Sequence, residues 1–381
     1  MKKILLFLFL FGIPLFAKAE DLLLAENAKS AIMIETTTNE ILYSKNPHTR
    51  LAPASMTKMM SLIIIMENIE NGSLNWNDTI VVSKNASSMG GSQIYLETNE
   101  LMSVEDLIKG ICIASGNDAT VALAEKIAGT EKAFVKLMND KAKNLGLKNT
   151  NFINSTGLDA EGHYSSAYDM SIIAKELVKH EKILEFSSIY EDYLRQNTQN
   201  SFWLVNTNKL VKFYSYIDGL KTGYTSDAGY CLTATGKKKG MRLITVVMGE
   251  DNTDNRTKDT ITMMDYGFNM YNLNTIIKKD EVVGSIKVNL GKEQETNILS
   301  TKDITVLNQT QKKEKKLSYE IEKYNITAPL YKDNIVGKIK VYEDGNYKYS
   351  VDIKIDHDIK KSNILEIFLK NITDIITGNI I

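Results

Sequence analysis

The sequence predicts an α+β fold: an antiparallel sheet with helices packed on it, then a small all-β domain and a C-terminal amphipathic helix. Three observations predict it. Short β-rich segments come first and last in residues 20–274, with helix-like segments between them, so the strands can close into one sheet with the helices packed on it. Beyond Asn274 the pattern alternates apolar and polar residues with no helical period. From Ile364 apolar residues recur at helical spacing.

The elements follow in order. Ala31–Glu35 and Ile41–Ser44 read as a hairpin around the polar Thr36-Thr37-Thr38-Asn39 turn. Pro53 precedes a helix-like run from about Met56 to Asn71, closed by Gly72. Its nearly continuous apolar residues, Met59 to Met66, mark a helix buried in the middle of a domain. Ser103-Val104-Glu105-Asp106 resembles a capping box opening a helix through Ile113. Further helices are expected over Ala119–Ala128 and Glu131–Leu145, each ending at a glycine. Asp218-Gly219 is a turn signal. Tyr230–Thr235 and Arg242–Met248 are β-rich runs joined by Gly236-Lys237-Lys238-Lys239-Gly240 as a hairpin, and Asp254–Tyr271 reads as helix. In the β domain, taken as residues 275–358, Asp344-Gly345 is a strong hairpin signal between Gly337–Tyr342 and Tyr347–Ile355.

Both ends carry targeting signals. Lys2 and Lys3, the apolar run Ile4–Phe16 and Ala17-Lys18-Ala19 read as a signal peptide over residues 1–19. An uncleaved anchor is disfavoured by the short run and by Gly12 and Pro14. Cleavage leaves 43 of the 46 basic residues against 47 acidic ones, a weakly acidic protein with no sign of nucleic-acid binding. Over residues 359–381, Ile364, Leu365, Phe368, Leu369, Ile372, Ile375 and Ile376 form a stripe opposite Glu366, Lys370, Asn371 and Asp374. This is expected to be an anchor lying on a membrane surface, in preference to a helix docked on the β domain. The segment is too polar to span a bilayer. Cys112 and Cys231 are too few for a disulfide framework and read as buried free thiols. The four histidines are scattered, so no metal site or cofactor is expected.

Three short segments carry chemistry together. Ser55-Met56-Thr57-Lys58 sets a hydroxyl and an amine three residues apart, one helical turn on one face. A serine hydroxyl needs an adjacent base, and lysine serves only when neutral, through burial or a nearby cation. A helix N-terminus also aims N–H groups where an oxyanion can form. Ser115-Gly116-Asn117 sits between two helices and offers a hydroxyl and an amide. Lys221-Thr222-Gly223 precedes a β-rich run; Gly223 permits close backbone approach, Thr222 and Thr225 offer hydroxyls to a carboxylate, and Lys221 supplies a cation that lowers the pKa of Lys58. Ser-x-x-Lys, Ser-x-Asn and Lys-Thr-Gly in this order form the motif set of β-lactamases and penicillin-binding proteins, with Ser-Gly-Asn replacing Ser-Asp-Asn.

The resemblance is closer still to the low-molecular-mass penicillin-binding proteins that act as D-alanyl-D-alanine carboxypeptidases. It covers about Ala31 to Asn274, through Pro53-Ala54-Ser55-Met56-Thr57-Lys58-Met59-Met60, Ser115-Gly116-Asn117-Asp118-Ala119, Gly157-Leu158-Asp159-Ala160, Ser165-Ser166-Ala167-Tyr168-Asp169-Met170 and Asp218-Gly219-Leu220-Lys221-Thr222-Gly223-Tyr224-Thr225. It implies a β-lactamase/transpeptidase-like catalytic domain, with the β domain and terminal helix also found in that family. It implies an acyl-enzyme on Ser55, with Lys58 taking its proton and Ser115 relaying a proton to the leaving amine. Lys221 supports Ser115 electrostatically and Asn117 binds the substrate's amide backbone. The N–H groups of Ser55 and Tyr224 form the oxyanion hole; Thr222, Thr225 and Arg256 hold the terminal carboxylate. The implied partners are peptidoglycan pentapeptides, β-lactam antibiotics as covalent inhibitors, and a membrane surface. The implied location is the extracytoplasmic face of the cytoplasmic membrane. Two departures stand out: Tyr224 replaces a histidine of several members, and Thr207 replaces an arginine of several relatives.

Other readings share the nucleophile. A β-lactamase needs a water-activating glutamate between the second and third motifs, where Glu161 lies in roughly that region. A transpeptidase or endopeptidase shares every catalytic residue, and a silent peptidoglycan-binding protein would not need them intact. A Ser-His-Asp hydrolase is disfavoured because no G-x-S-x-G occurs.

Overall fold

In a computed structural model the described residues are 22–310, 312 and 315–376; the expected signal peptide lies outside them. The frame of the first domain is one antiparallel sheet. Its strands are β1 (Ser30–Glu35), β2 (Ile41–Lys45), β3 (Ile217–Thr225), β4 (Gly229–Lys238) and β5 (Met241–Glu250), in the order β2-β1-β5-β4-β3. The N-terminal hairpin and the late strands therefore meet through β1 and β5, as the strand–helix–strand order of the chain anticipates.

Strand alternation sends side chains into two cores. Ile32 and Ile34 of β1, with Ile244, Val246 and Met248 of β5, enter the larger one. There they meet α1 (Lys58–Glu70), α2 (Val104–Ala114), α3 (Asn117–Ala128), α4 (Glu131–Asn144) and α5 (Ala167–Leu177). Ala31, Met33, Leu243 and Val247 point the other way, onto Met263 and Met264 of α6 (Thr253–Met270). Helix α1 lies in the larger core with Met59 through Met66 all buried, as its unbroken apolar run demands.

Three local expectations are corrected. The nucleophile helix does not start at Met56: Ala54–Thr57 is a single 3₁₀ turn, and the α-helix begins at Lys58. The β4–β5 connection is tighter than five residues. Lys239 and Gly240 both take positive φ, 49° and 82°, so the strands run to Lys238 and from Met241. Asp218-Gly219 is not a turn but lies inside β3, because the Asp218 carboxylate accepts two hydrogen bonds from the Arg242 guanidinium, each 2.8 Å.

After Met270 the chain is all-β to Ile355, with β6 (Tyr271–Ile277), β7 (Val282–Asn289), β8 (Glu295–Ser300), β9 (Ile304–Gln309), β10 (Leu317–Lys323), β11 (Ile326–Thr327), β12 (Ile335–Glu343) and β13 (Asn346–Ile355). β6 pairs with β9; the others form a sheet ordered β10-β12-β13-β8-β7-β11 around Ile286, Ile298, Ile339 and Ile353. Asp344 and Gly345 make the β12–β13 turn with φ of 49° and 82°. Helix α7 (Ile364–Ile376) follows, with Ile364, Leu365, Phe368, Leu369, Ile375 and Ile376 exposed. Among the described residues no helix is long and apolar enough to cross a membrane.

Candidate active site

The three motifs converge on one cavity of about 430 Å³ between the edge strand β3 and the helical layer. Ser55, Ser115, Thr222, Gly223, Tyr224 and Arg256 line it. A larger cavity, about 680 Å³, lies between the β1–β2 turn and the β domain and gathers none of the motif residues.

The 3₁₀ turn presents Ser55 at the cavity with Lys58 directly behind it. Lys58 is fully buried, and its Nζ lies 2.9 Å from Ser55 Oγ and donates to the Thr156 carbonyl at 2.8 Å. Burial holds this amine well below the usual lysine range, and the charge of Lys221 pushes it further down. Lys221 is itself buried and falls to about 7, through burial above all; Cys112 opposes the fall and the smaller effect of the Arg256 charge adds to it. The pair thus has the elements of a lysine base: an amine biased toward its neutral form, one N–H engaged by a carbonyl, in contact with a hydroxyl.

Gly223 explains how β3 comes so close. A Cβ there would sit 2.9 Å from Pro53 O and 3.0 Å from Ala54 Cβ, so only glycine lets the strand reach the nucleophile turn. Gly157 closes the other side of the turn. At φ +88° it packs where a Cβ would fall 1.8 Å from Ala54 O. The loop carrying Gly157 and Thr156 is fixed by Asn154 Oδ1, which accepts from Thr156 N and Gly157 N, and by Glu131, which accepts from Ser155 N and Oγ.

Ser115 caps α2 in the left-handed region, at φ 64°, a conformation unusual outside glycine. Gly116 N–H donates back to Gly110 O at 3.0 Å to hold it. Buried Ser115 Oγ has no hydrogen-bond partner among the described residues. Asn117 donates its Nδ2 to Gly90 O, while its buried Oδ1 is left unpartnered. Arg256, on the first turns of α6, is buried without a hydrogen bond or ion pair from its guanidinium among the described residues; its Nε is orphaned. Ser115 and Arg256 line the cavity, while Asn117 does not; unsatisfied polar groups at such a wall are costly unless a ligand completes them.

Thr225 stands apart. Strand alternation puts it on the face opposite Thr222, its Oγ1 accepts the Ala228 N–H at 3.1 Å, and it does not line the cavity. Thr222 donates to Thr207 Oγ1 at 2.7 Å. Glu161 is exposed, lies off the cavity and so offers no activated water there. Several lining residues escaped the motif reading: Ser92, Lys209, Tyr230, Thr253, Asp254 and Thr257. They come from loops, from the start of α6 and, for Tyr230, from β4, where no short motif marks them. Cys112 and Cys231 are buried free thiols, pushed up by burial to about 12 and about 11.

Comparison with known proteins decides the family. Residues 17–252 match peptidase S11, described as D-alanyl-D-alanine carboxypeptidase, and residues 271–361 match the C-terminal domain of penicillin-binding protein 5. The chain belongs to the D-alanyl-D-alanine carboxypeptidase family. It is 48% identical over 348 residues to the D-alanyl-D-alanine carboxypeptidase DacF of Bacillus subtilis, covering 91% of this chain and 89% of that protein. Penicillin-binding protein 5 from Haemophilus influenzae superposes with a TM-score of 0.72 at 31% identity, over 88% of this carboxypeptidase and 98% of that chain. The ampicillin-bound penicillin-binding protein D2 from Listeria monocytogenes gives 0.57 at 30% identity, over 64% of this chain and 98% of that one. The protein is thus a serine-type D-alanyl-D-alanine carboxypeptidase, a hydrolase with the penicillin-binding protein 5 architecture.

Proposed function

We propose that Ser55 is the nucleophile that removes the terminal D-alanine from peptidoglycan pentapeptide stems. The observation that carries this reading is the 2.9 Å approach of the buried Lys58 amine to Ser55 Oγ. Neutral Lys58 takes the hydroxyl proton as Oγ bonds to the carbonyl carbon between the last two D-alanines. The N–H groups of Ser55 and Tyr224 face the developing oxyanion. Ser115, whose hydroxyl is otherwise unpartnered, passes a proton to the leaving amine, with Lys221 supporting it. The C–N bond breaks, D-alanine departs, and water later cleaves the Ser55 ester. Asn117 Oδ1 is free to accept a substrate amide N–H. The carboxylate goes to Thr222 and the unpaired Arg256, leaving Thr225 to its turn.

A β-lactam carries a carbonyl and a carboxylate in the same relation, and the Listeria relative is known in an ampicillin-bound form. A labelled penicillin should therefore add to Ser55. Intact-mass spectrometry with peptide mapping, plus D-alanine release from a pentapeptide, tests both steps. Labelling of Ser55→Ala at the wild-type level would overturn the assignment.

The same proposal places the protein outside the cytoplasm, exported by residues 1–19 and held at the membrane surface by α7. Thirteen helical residues span about 20 Å against a hydrocarbon core of about 30 Å, so α7 lies in the interface rather than crossing it. Removal of residues 364–381 should move the protein to the soluble fraction; an unchanged distribution counts against the anchor.

A further inference from the structure

We infer that Lys209 is a substrate-binding residue of this carboxypeptidase, supplying the second cation for the terminal carboxylate. The inference rests on the proposed reading of the cavity. Lys209 lines the same cavity as Ser55, Thr222 and Arg256. It is exposed, just ahead of the single helical turn Leu210–Phe213, and its ammonium makes no hydrogen bond or ion pair among the described residues. Other lysines of the fold are paired, as Lys141 is with Glu67 and Lys315 with Glu40.

Position strengthens the case. Two residues before Lys209, Thr207 Oγ1 accepts the Thr222 hydroxyl at 2.7 Å, so the segment is tied to the strand that would hold the carboxylate. Asn206 and Asn208 fix its backbone. Asn206 Nδ2 donates to Ser187 O and Ile189 O, Asn208 N donates to Asn206 Oδ1, and Asn208 Nδ2 donates to Gly219 O. The stem of Lys209 therefore leaves a rigid base at the cavity wall. The charge balance fits as well: Lys209 and Arg256 are the two cationic residues lining the cavity, against Asp254 as its one acid. Thr207 is too short to reach out and neutral, so the cation on this wall comes from the next outward-facing position. A flexible ammonium suits a carboxylate that must leave with the product after each turnover.

The test is steady-state kinetics on a D-alanyl-D-alanine peptide with Lys209→Ala, Lys209→Arg and the double variant Thr207→Arg/Lys209→Ala. Loss of one charge-assisted hydrogen bond should raise KM about tenfold in Lys209→Ala with little change in kcat. Lys209→Arg should restore KM to within about threefold, and the double variant should recover most of the loss. The KM difference should also shrink as salt rises. A wild-type KM in Lys209→Ala, or a Lys209→Arg variant as weak as Lys209→Ala, overturns the inference. Failure of the wild type to form a Ser55 adduct or release D-alanine would instead overturn the reading of the site.

Discussion

Thr57 Oγ1 and His163 Nε2 lie 2.8 Å apart, joining the residue before the base Lys58 to the far end of the Gly157 loop. Ile153 N–H donates to His163 Nδ1 at 3.0 Å, so the neutral ring carries its proton on Nε2 and donates to Thr57. Burial lowers this histidine to about 4. The unfolded chain titrates near 6.5, so it binds more protons than the native state between pH 6.5 and 4. Stability is therefore full above pH 6.5 and declines as pH falls toward 4. Thermal melts should show a loss of roughly 1–2 kcal/mol between pH 6.5 and 5 from this group. His163→Gln should flatten that slope; an equal slope in the variant would sink the assignment.

Gly157→Ala should be among the most damaging single changes in the chain. The added Cβ would overlap Ala54 O at 1.8 Å, and the φ of +88° disfavours any side chain. Either the loop or the nucleophile turn must move. A loss of at least about 3 kcal/mol is expected, or a folded protein with Ser55 and Lys58 out of register. Circular dichroism melts with penicillin labelling separate the two. A variant with wild-type stability and labelling would contradict the packing.

How much of this was legible in the sequence differs by element. The α1 core helix, the Asp344-Gly345 hairpin and the joining of early and late strands followed from pattern, because burial and turn chemistry are local in the chain. The three motifs were legible only as a set, since each is a common tetrapeptide or tripeptide. The 3₁₀ turn at Ser55 was not, because it comes from Gly157 and Gly223 pressing on Ala54 from distant segments. Nor was the role of Asp218, whose turn-like Asp-Gly pair is overridden by Arg242 across the sheet. The engagement of Thr225 was not legible either: its hydroxyl accepts the Ala228 N–H of the following turn, a backbone partner that no motif marks. The Thr156 carbonyl that holds Lys58 is a backbone atom, and no side-chain motif could announce it.

Lys221 should set the pH at which Lys58 becomes a base. Its charge is the second cause, after burial, of the lowered Lys58 amine. A neutral residue in its place lets Lys58 hold its proton to higher pH. The acid limb of the penicillin acylation rate should therefore move up by about one pH unit in Lys221→Gln, besides any fall in the maximum. A limb that stays in place would show that burial alone tunes Lys58.

Glu250 gives the opposite pH signature to His163. It ends β5 with both carboxyl oxygens buried and without hydrogen-bond donors among the described residues. Burial, then the neighbouring Asp259, raises it to about 8. Asp259 has donors of its own: its carboxylate accepts from Asn27 N at 2.9 Å and Asn27 Nδ2 at 3.2 Å. The native state thus keeps a proton on Glu250 that the unfolded chain releases above about 4.5. Its contribution is complete below that pH and is lost as pH rises through 8. Wild-type melting temperature should fall between pH 6 and 9. Glu250→Gln, which keeps a donor toward Asp259 but cannot ionise, should remove this part of the decline and melt a few degrees higher at pH 8.5. Parallel wild-type and variant curves across that range would mean that Glu250 is ionised in the folded protein.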